Sequence, residues 1–172
     1  DGVACEDRGR NGFIERFLHA EIYRARPDVQ AIAHSHSAAV IPFGLVKTPM
    51  RAMYHNAAFI AAGVPVFDIR DKFGVTDIVV SSPEKGAALA EVLADKPVAL
   101  LRAHGVVVVG PSVRAAVFRA VFTEVNARVQ LQATALGGEI AALDAEEGRL
   151  ADAVNLATDT RSWELWKQRV TR

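Results

Sequence analysis

Residues 98–109 of this chain are Val-Ala-Leu-Leu-Arg-Ala-His-Gly-Val-Val-Val-Val, two apolar runs on either side of a histidine and a glycine. Because aliphatic and β-branched residues favour buried strands, we expect strands over 98–102 and 106–109. A tight corner between these strands would place the side chain of His104 at the edge of a sheet, while Gly105 lets the backbone turn back sharply.

Outward from this corner, the apolar pattern predicts helices and strands in mixed order. Helices are predicted over residues 13–24, 38–45, 56–62, 83–94 and 113–136. Strands are predicted over 29–36, 64–69, 78–80, 98–102 and 106–109. The tail that contains Trp163 and Trp166 is expected to be helical and to pack on an apolar surface. We therefore expect an α/β fold with three layers, α/β/α, and a mostly antiparallel central sheet.

Composition narrows the class of protein. The 172 residues contain 20 Lys plus Arg and 20 Asp plus Glu, and the basic residues are scattered, which argues against a nucleic-acid-binding surface. No stretch reaches the roughly 18 apolar residues that a membrane span needs. Residues 1–12 lack the apolar segment of a signal peptide, and Cys5 is the only cysteine. We expect a soluble, cytoplasmic protein with no nucleic-acid or membrane partner.

Two histidines in the predicted strand 29–36 form the strongest candidate site. Side chains alternate across a strand, so His34 and His36 are expected to point to the same side. Two convergent imidazoles are a common half of a metal site, and His104 is a candidate third ligand that leaves positions open for water or substrate. Without a metal, these residues would be paired with carboxylates, cap the next helix or, for His104, lie solvated in a turn.

Four other residues could take part in proton transfer, and the pattern does not decide their roles. Glu15 lies one or two turns into the first predicted helix, beside its apolar stripe, where a surface position is favoured over a cleft with a raised pKa. The same holds for Glu124 in the long helix. Tyr54 and His55 follow a loop-like stretch and are either acid/base groups or ordinary loop residues.

The order of four motifs resembles the class II aldolase/adducin family over about residues 12–140. The motifs are Glu15, Arg26-Pro27-Asp28, His34-Ser35-His36 and Arg102-Ala103-His104-Gly105. The resemblance implies one domain over 1–172 that lacks the family's N-terminal part, and a homotetramer with active sites between subunits.

The same resemblance implies roles for the candidate residues. His34, His36 and His104 would bind a divalent metal, usually zinc and sometimes manganese or magnesium, and Glu15 would be the catalytic acid/base. Adducin head domains without enzymatic activity tend to lack these ligands, so the three histidines indicate an enzyme.

One departure from the family's sugar-phosphate aldolases concerns the substrate. Those aldolases carry two serines before the catalytic glutamate, where this chain has Phe13-Ile14, and neither side chain offers a hydrogen-bond donor to phosphate. Residues 15–23, Tyr54-His55 and residues 123–128 instead look like the branch that decarboxylates hydroxylated aromatic acids.

We therefore predict a metal-dependent carbon–carbon lyase that decarboxylates a hydroxylated aromatic or heteroaromatic acid. The metal, Zn2+ or Mn2+, would stabilise an enolate-like intermediate, and Glu15 would relay the proton. His55, Tyr54 or Arg102 would orient a second carboxylate. The alternatives are an aldolase or dehydratase acting on a sugar or sugar phosphate, and a non-catalytic adducin-like interaction module.

Overall fold

The computed structural model describes residues 2, 9 and 11–170 of the chain. Its centre is a four-stranded sheet. The strands are β1 (Ala31–Ser35), β2 (Val66–Phe67), β3 (Val98–Leu101) and β4 (Gly105–Gly110). The α-helices are α1 (Arg16–Ala25), α2 (Arg70–Phe73), α3 (Pro83–Leu93), α4 (Val113–Leu136), α5 (Ala145–Thr158) and α6 (Thr160–Val170). Two 3-10 helices span Ile41–Gly44 and His55–Ile60.

The sheet has the order β1-β4-β3-β2, so the two apolar strands β3 and β4 are its inner strands. β4 pairs antiparallel with both β1 and β3, while β2 pairs parallel with β3. Every residue of β3 and β4 is buried, as expected for strands that are covered on both faces. The predicted α/β fold with a mostly antiparallel sheet is confirmed.

Helices cover the two faces of this sheet and complete the three layers. On one face, Leu18 and Ile22 of α1 and Leu89 of α3 pack with Val107 and Val109 of β4 in one core cluster. On the other face, residues at the alternate strand positions form a second cluster with the inner side of α4. That second cluster includes Val98, Leu100, Val106, Val108, Phe118 and Ala127. Burial of each such side chain contributes about 1.5–3 kcal/mol to folding.

Serine side chains cap the beginnings of α3 and α4. The Ser82 hydroxyl accepts a hydrogen bond from the Lys85 amide, and the Ser112 hydroxyl accepts one from the Ala115 amide. α1 begins at Arg16, later than predicted, and Glu15 is its N-cap residue. The prediction that Glu15 lies inside this helix was therefore wrong.

Several predicted elements differ from the structure for local reasons. Residues 78–80 form no strand, because Ile78 has a positive φ of 59° that breaks an extended backbone. The strand predicted over 64–69 is confined to β2, and the helices predicted over 38–45 and 56–62 are short 3-10 helices. The tail forms two helices, α5 and α6, and Trp166 packs on the second core cluster beside Phe122, as predicted.

None of the helices in the described ranges has the length and apolarity that crossing a membrane requires.

The sheet geometry gives a testable prediction at Gly105, the first residue of β4. A Cβ atom added to Gly105 would overlap the carbonyl oxygen of Ser35, because the end of β1 passes directly over this position. We expect Gly105→Ala to lower the free energy of unfolding by about 1–3 kcal/mol, the usual effect of overpacking. Urea denaturation measures this change.

Gly44→Ala is the matched control for Gly105→Ala. A Cβ atom at Gly44 would lie 3.4 Å from the Leu101 carbonyl oxygen, which is an ordinary contact distance. We expect the control to change stability much less than Gly105→Ala. Equal stability of Gly105→Ala and the wild type would contradict the close approach of β1 and β4.

Candidate metal centre

Three separate parts of the chain bring four polar side chains to one end of the sheet. His34 lies in β1 opposite Val107, and His36 follows the last residue of β1. His104 is the last residue of the turn that joins β3 to β4, so the antiparallel register carries it to the same end. Glu15 reaches this point from the beginning of α1.

The three imidazoles converge closely. The Nε2 atoms of His34 and His36 lie 3.1 Å apart, and the ring centroids of the three histidines are separated by 4.7 to 5.0 Å. One side-chain atom from each histidine and one oxygen of Glu15 all lie within 4.8 Å of one another. The structure thus brings together the three predicted ligands and the predicted acid/base.

Main-chain carbonyls orient two of the rings. Nδ1 of His34 lies 3.0 Å from the carbonyl oxygen of Val106, and Nδ1 of His104 lies 3.0 Å from that of Ile78. Because a carbonyl only accepts hydrogen bonds, Nδ1 carries the proton in both rings, which leaves the Nε2 lone pairs facing the cluster. Protein groups commonly orient metal-ligating histidines in this way.

Glu15 is buried, which corrects the surface position that its sequence pattern favoured. Its Oε2 lies 3.3 Å from Nε2 of His34, and its Oε1 lies 3.4 Å from Nε2 of His104. Oε1 makes no hydrogen bond with any residue that the structure describes. A buried carboxylate with an unused oxygen can accept a cation or a proton at that oxygen.

The donor set fits a divalent metal ion. Three imidazole nitrogens that converge from one side are the ligand set of many catalytic zinc sites, and a nearby carboxylate oxygen adds negative charge. Burial lowers the pKa of His34 below its ordinary value, and the charge of Glu15 opposes that shift only in part. His34 is therefore neutral at physiological pH, as a metal ligand must be.

The remaining predicted residues lie apart from this cluster. The Tyr54 ring packs against Phe122, and burial raises the pKa of its phenol to about 12. His55 is exposed, and its carbonyl oxygen accepts a hydrogen bond from Asn155. Over residues 11–170, no hydrogen bond, ion pair or ring contact joins Tyr54 or His55 to the cluster. Their roles in catalysis stay predictions.

Arg102 and Glu124 already have ionic partners. Nε of Arg102 lies 2.9 Å from the carboxylate of Asp68, and Arg102 is only partly exposed in the turn that carries His104. Glu124 pairs with Arg128 one helical turn later in α4.

The sequence analysis did not identify the carbonyls of Val106 and Ile78 as part of the site. Every residue has a main-chain carbonyl, so the amino-acid type does not show which one binds a histidine. The β-rich run after Gly105 located the Val106 strand, but nothing in the sequence pointed to Ile78.

Comparisons with known proteins agree with this geometry. The sequence profile of the Class II Aldolase and Adducin N-terminal domain matches residues 2–131. Decarboxylase tropJ of Talaromyces stipitatus is 33% identical, over 92% of this chain and 68% of that protein. The 3,4-dihydroxyphthalate decarboxylase of Rhodococcus jostii is 27% identical, over 90% of this chain and 62% of that protein.

Among solved structures, an aldolase II superfamily protein from Pseudomonas syringae has the same fold. It superposes with a TM-score of 0.74 at 22% identity, over 98% of this chain and 68% of that chain. The chain thus spans about two thirds of the length of each of these three proteins. The named decarboxylases support an enzyme with lyase activity and favour decarboxylation over aldol cleavage. On the profile match and the similarity to tropJ, the chain belongs to the class II aldolase and adducin N-terminal domain family.

Proposed function

We propose that this protein is a metal-dependent decarboxylase of hydroxylated aromatic or heteroaromatic carboxylic acids. The observation that carries the proposal is the convergence of three imidazole nitrogens and a buried carboxylate oxygen within 4.8 Å. The relative from Rhodococcus jostii is named for 3,4-dihydroxyphthalate, a hydroxylated aromatic acid with two carboxylates. This compound is therefore the first substrate to test.

The chemistry of decarboxylation explains why such a cluster is useful. The ring carbon that carries the carboxylate first accepts a proton, which converts the neighbouring ionised hydroxyl into a ketone. When the bond to the carboxylate then breaks, CO2 leaves, and the electron pair enters the ring and returns the negative charge to that oxygen. His34, His36 and His104 would hold a divalent ion, which would supply positive charge to stabilise the negative charge on oxygen. The protein must therefore hold a proton near this ring carbon before the bond breaks.

Glu15 is the proposed proton donor. It holds the proton at Oε1, the oxygen that makes no hydrogen bond within the described residues, and transfers it to the ring carbon before CO2 leaves. Its position at the N-cap of α1 fixes the side chain at the rim of the cluster. Water or a second acid restores the proton before the next turnover.

The residues before Glu15 favour an aromatic ring over a phosphorylated sugar. Phe13 and Ile14 have more than half of their surface exposed, although both are large apolar residues. An apolar surface beside the catalytic carboxylate suits a flat ring, whereas a phosphate needs cationic or N–H donors. An aldolase acting on a sugar phosphate is the second candidate function. A non-catalytic adducin-like interaction module would not require the buried Glu15.

We place the second carboxylate of the substrate near His55, Tyr54 and Arg102. The family resemblance implies a homotetramer with active sites between subunits, so His55 and Tyr54 would act on the cluster of a neighbouring copy. The exposed imidazole of His55 is available for this contact. The Tyr54 phenol has no hydrogen-bond partner in the described part of the chain and would have to turn outward. A cytoplasmic location belongs to the same proposal.

The metal site predicts a simple result for ligand substitution. We expect one divalent metal ion per chain in the purified wild type, identified as zinc or manganese by elemental analysis. His36→Ala removes one of three ligands, so we expect most of this metal to be lost on dialysis. His19→Ala is the control, because His19 lies on α1 outside the cluster and should leave the metal content unchanged. Equal metal content in all three proteins would contradict the assignment.

The role of Glu15 predicts a variant that binds metal without turning over substrate. Glu15→Gln keeps the size of the side chain but cannot hold the transferable proton, so we expect the rate of CO2 release from 3,4-dihydroxyphthalate to fall by about 10²–10⁴. Metal content should stay at the wild-type level. Full turnover by metal-loaded Glu15→Gln would show that another group supplies the proton, and activity on sugar phosphates alone would favour the aldolase.

Burial of the imidazoles predicts how stability depends on pH. Since burial lowers the pKa of His34 and of His19, the unfolded chain takes up protons at a higher pH than the folded chain does. For metal-free protein, this stabilisation is fully present above about pH 6.5 and declines as the pH falls through the lowered pKa values.

We therefore expect metal-free wild type to unfold at a lower urea concentration at pH 5 than at pH 7.5. The difference should shrink in His34→Asn and should persist in the control His55→Asn, because His55 is exposed. The same difference in His34→Asn and the wild type would show that His34 does not contribute to it.

A further inference from the structure

Residues 49–55 form no strand, yet buried side chains bind their backbone at regular intervals. Three carboxamides are involved, Asn126 and Gln130 of α4 and Asn155 of α5, and each is at most 6% exposed. We call these three residues the amide clamp. A buried amide destabilises the fold unless its donor and acceptor are bonded, so such groups define one arrangement of their partners.

Asn126 and Gln130 bind the segment on both sides of Arg51. The Gln130 amide nitrogen donates to the Pro49 carbonyl at 2.8 Å, and its oxygen accepts from the Arg51 amide at 2.9 Å. The Asn126 amide nitrogen donates to the Arg51 carbonyl at 2.8 Å, and its oxygen accepts from the Met53 amide at 2.8 Å.

The spacing explains why one helix can do this. Asn126 and Gln130 are four residues apart, which is about 6 Å along a helix. The backbone groups that Asn126 binds lie two residues after those that Gln130 binds, and two residues of an extended chain span about 6.6 Å. The two side chains therefore match the repeat of the extended backbone and replace the neighbouring strand that this segment lacks.

Two further hydrogen bonds hold residues 49–55, one at Ala52 and one at the end of the segment. The Ala52 carbonyl accepts a hydrogen bond from the Leu143 amide at 2.9 Å. The Asn155 amide nitrogen donates to the His55 carbonyl at 2.7 Å, the position where the 3-10 helix begins. Hydrogen bonds thus hold the backbone at Met53, just before Tyr54, and at the carbonyl of His55.

We infer that the amide clamp holds Tyr54 and His55 in position for the substrate, so that its members are positioning residues of the reaction. This inference rests on the proposed function, because it needs Tyr54 and His55 to contact the second carboxylate. Apolar packing alone would keep residues 49–55 near α4, but it would allow the segment to slip along the helix. Directional hydrogen bonds to the backbone fix the position of the segment along α4.

The test is a double-mutant cycle with metal-loaded protein and 3,4-dihydroxyphthalate. Asn126→Asp keeps the shape and the acceptor for the Met53 amide, but it loses the donor to the Arg51 carbonyl. We expect kcat/KM to fall at least tenfold with unchanged metal content. Gln132→Glu is the matched control, since it makes the same chemical change on the exposed side of α4, and it should keep full activity.

The second arm of the cycle separates positioning from stability. In the background Tyr54→Phe/His55→Ala, the residues that the clamp positions are gone, so Asn126→Asp should cause no further loss of kcat/KM. A purely structural role predicts the same fold-loss in both backgrounds. That result, or full activity of the background itself, would overturn the inference while leaving the decarboxylase assignment intact.

A milder variant covers the chance that a buried aspartate prevents folding. Asn155→Ala removes only the hydrogen bond to the His55 carbonyl, at the edge of the clamp. We expect a several-fold loss of kcat/KM that again disappears in the Tyr54→Phe/His55→Ala background. Wild-type protein that binds metal but releases no CO2 would overturn the proposed function, and the inference with it.

Discussion

The close approach of β1 to the first residue of β4 is the constraint on which the candidate site depends. Ser35 passes so near Gly105 that no side chain fits between them. This contact sets the antiparallel register, and the register places His34 opposite Val107 and brings His36 beside the turn that carries His104. The catalytic geometry is thus a consequence of strand pairing, and the two core clusters on either side of the sheet stabilise that pairing.

Several buried side chains around this sheet hydrogen-bond to the backbone, whereas a few buried side-chain atoms, one of them at the candidate site, have no hydrogen bond among the described residues. His34 and His104 each use Nδ1 for a carbonyl, and Asn126 and Gln130 each use both ends of their amides. Glu15, in contrast, keeps one buried oxygen without a hydrogen bond among the described residues. A carboxylate oxygen without a hydrogen bond, next to three imidazoles, suits a group that binds or releases a proton.

Sequence reasoning predicted the parts of the site that follow from periodicity. Alternation along a strand predicted that His34 and His36 face the same side, and the glycine corner placed His104 at the sheet edge. Glu15 was different: its pattern favoured a surface position, and only the family resemblance selected it, because burial at a helix N-cap depends on how α1 docks against α3 and the sheet. The strand predicted at 78–80 was wrong because its three apolar residues gave no sign that Ile78 adopts a left-handed backbone. The amide clamp was also out of reach, since the contacts between α4 and residues 49–53 join positions more than 70 residues apart.

The carbonyl anchors of the histidines have a consequence for how this site tolerates sequence change. Val106 and Ile78 hold the imidazole rings through oxygen atoms that every amino acid possesses, so exchanging their side chains for others of similar shape leaves the anchors in place. An insertion or deletion in β4 or in the bend at Ile78 would instead move the oxygen itself. The site should therefore tolerate exchanges among apolar residues of similar shape at these two positions, while the lengths of the flanking segments stay fixed.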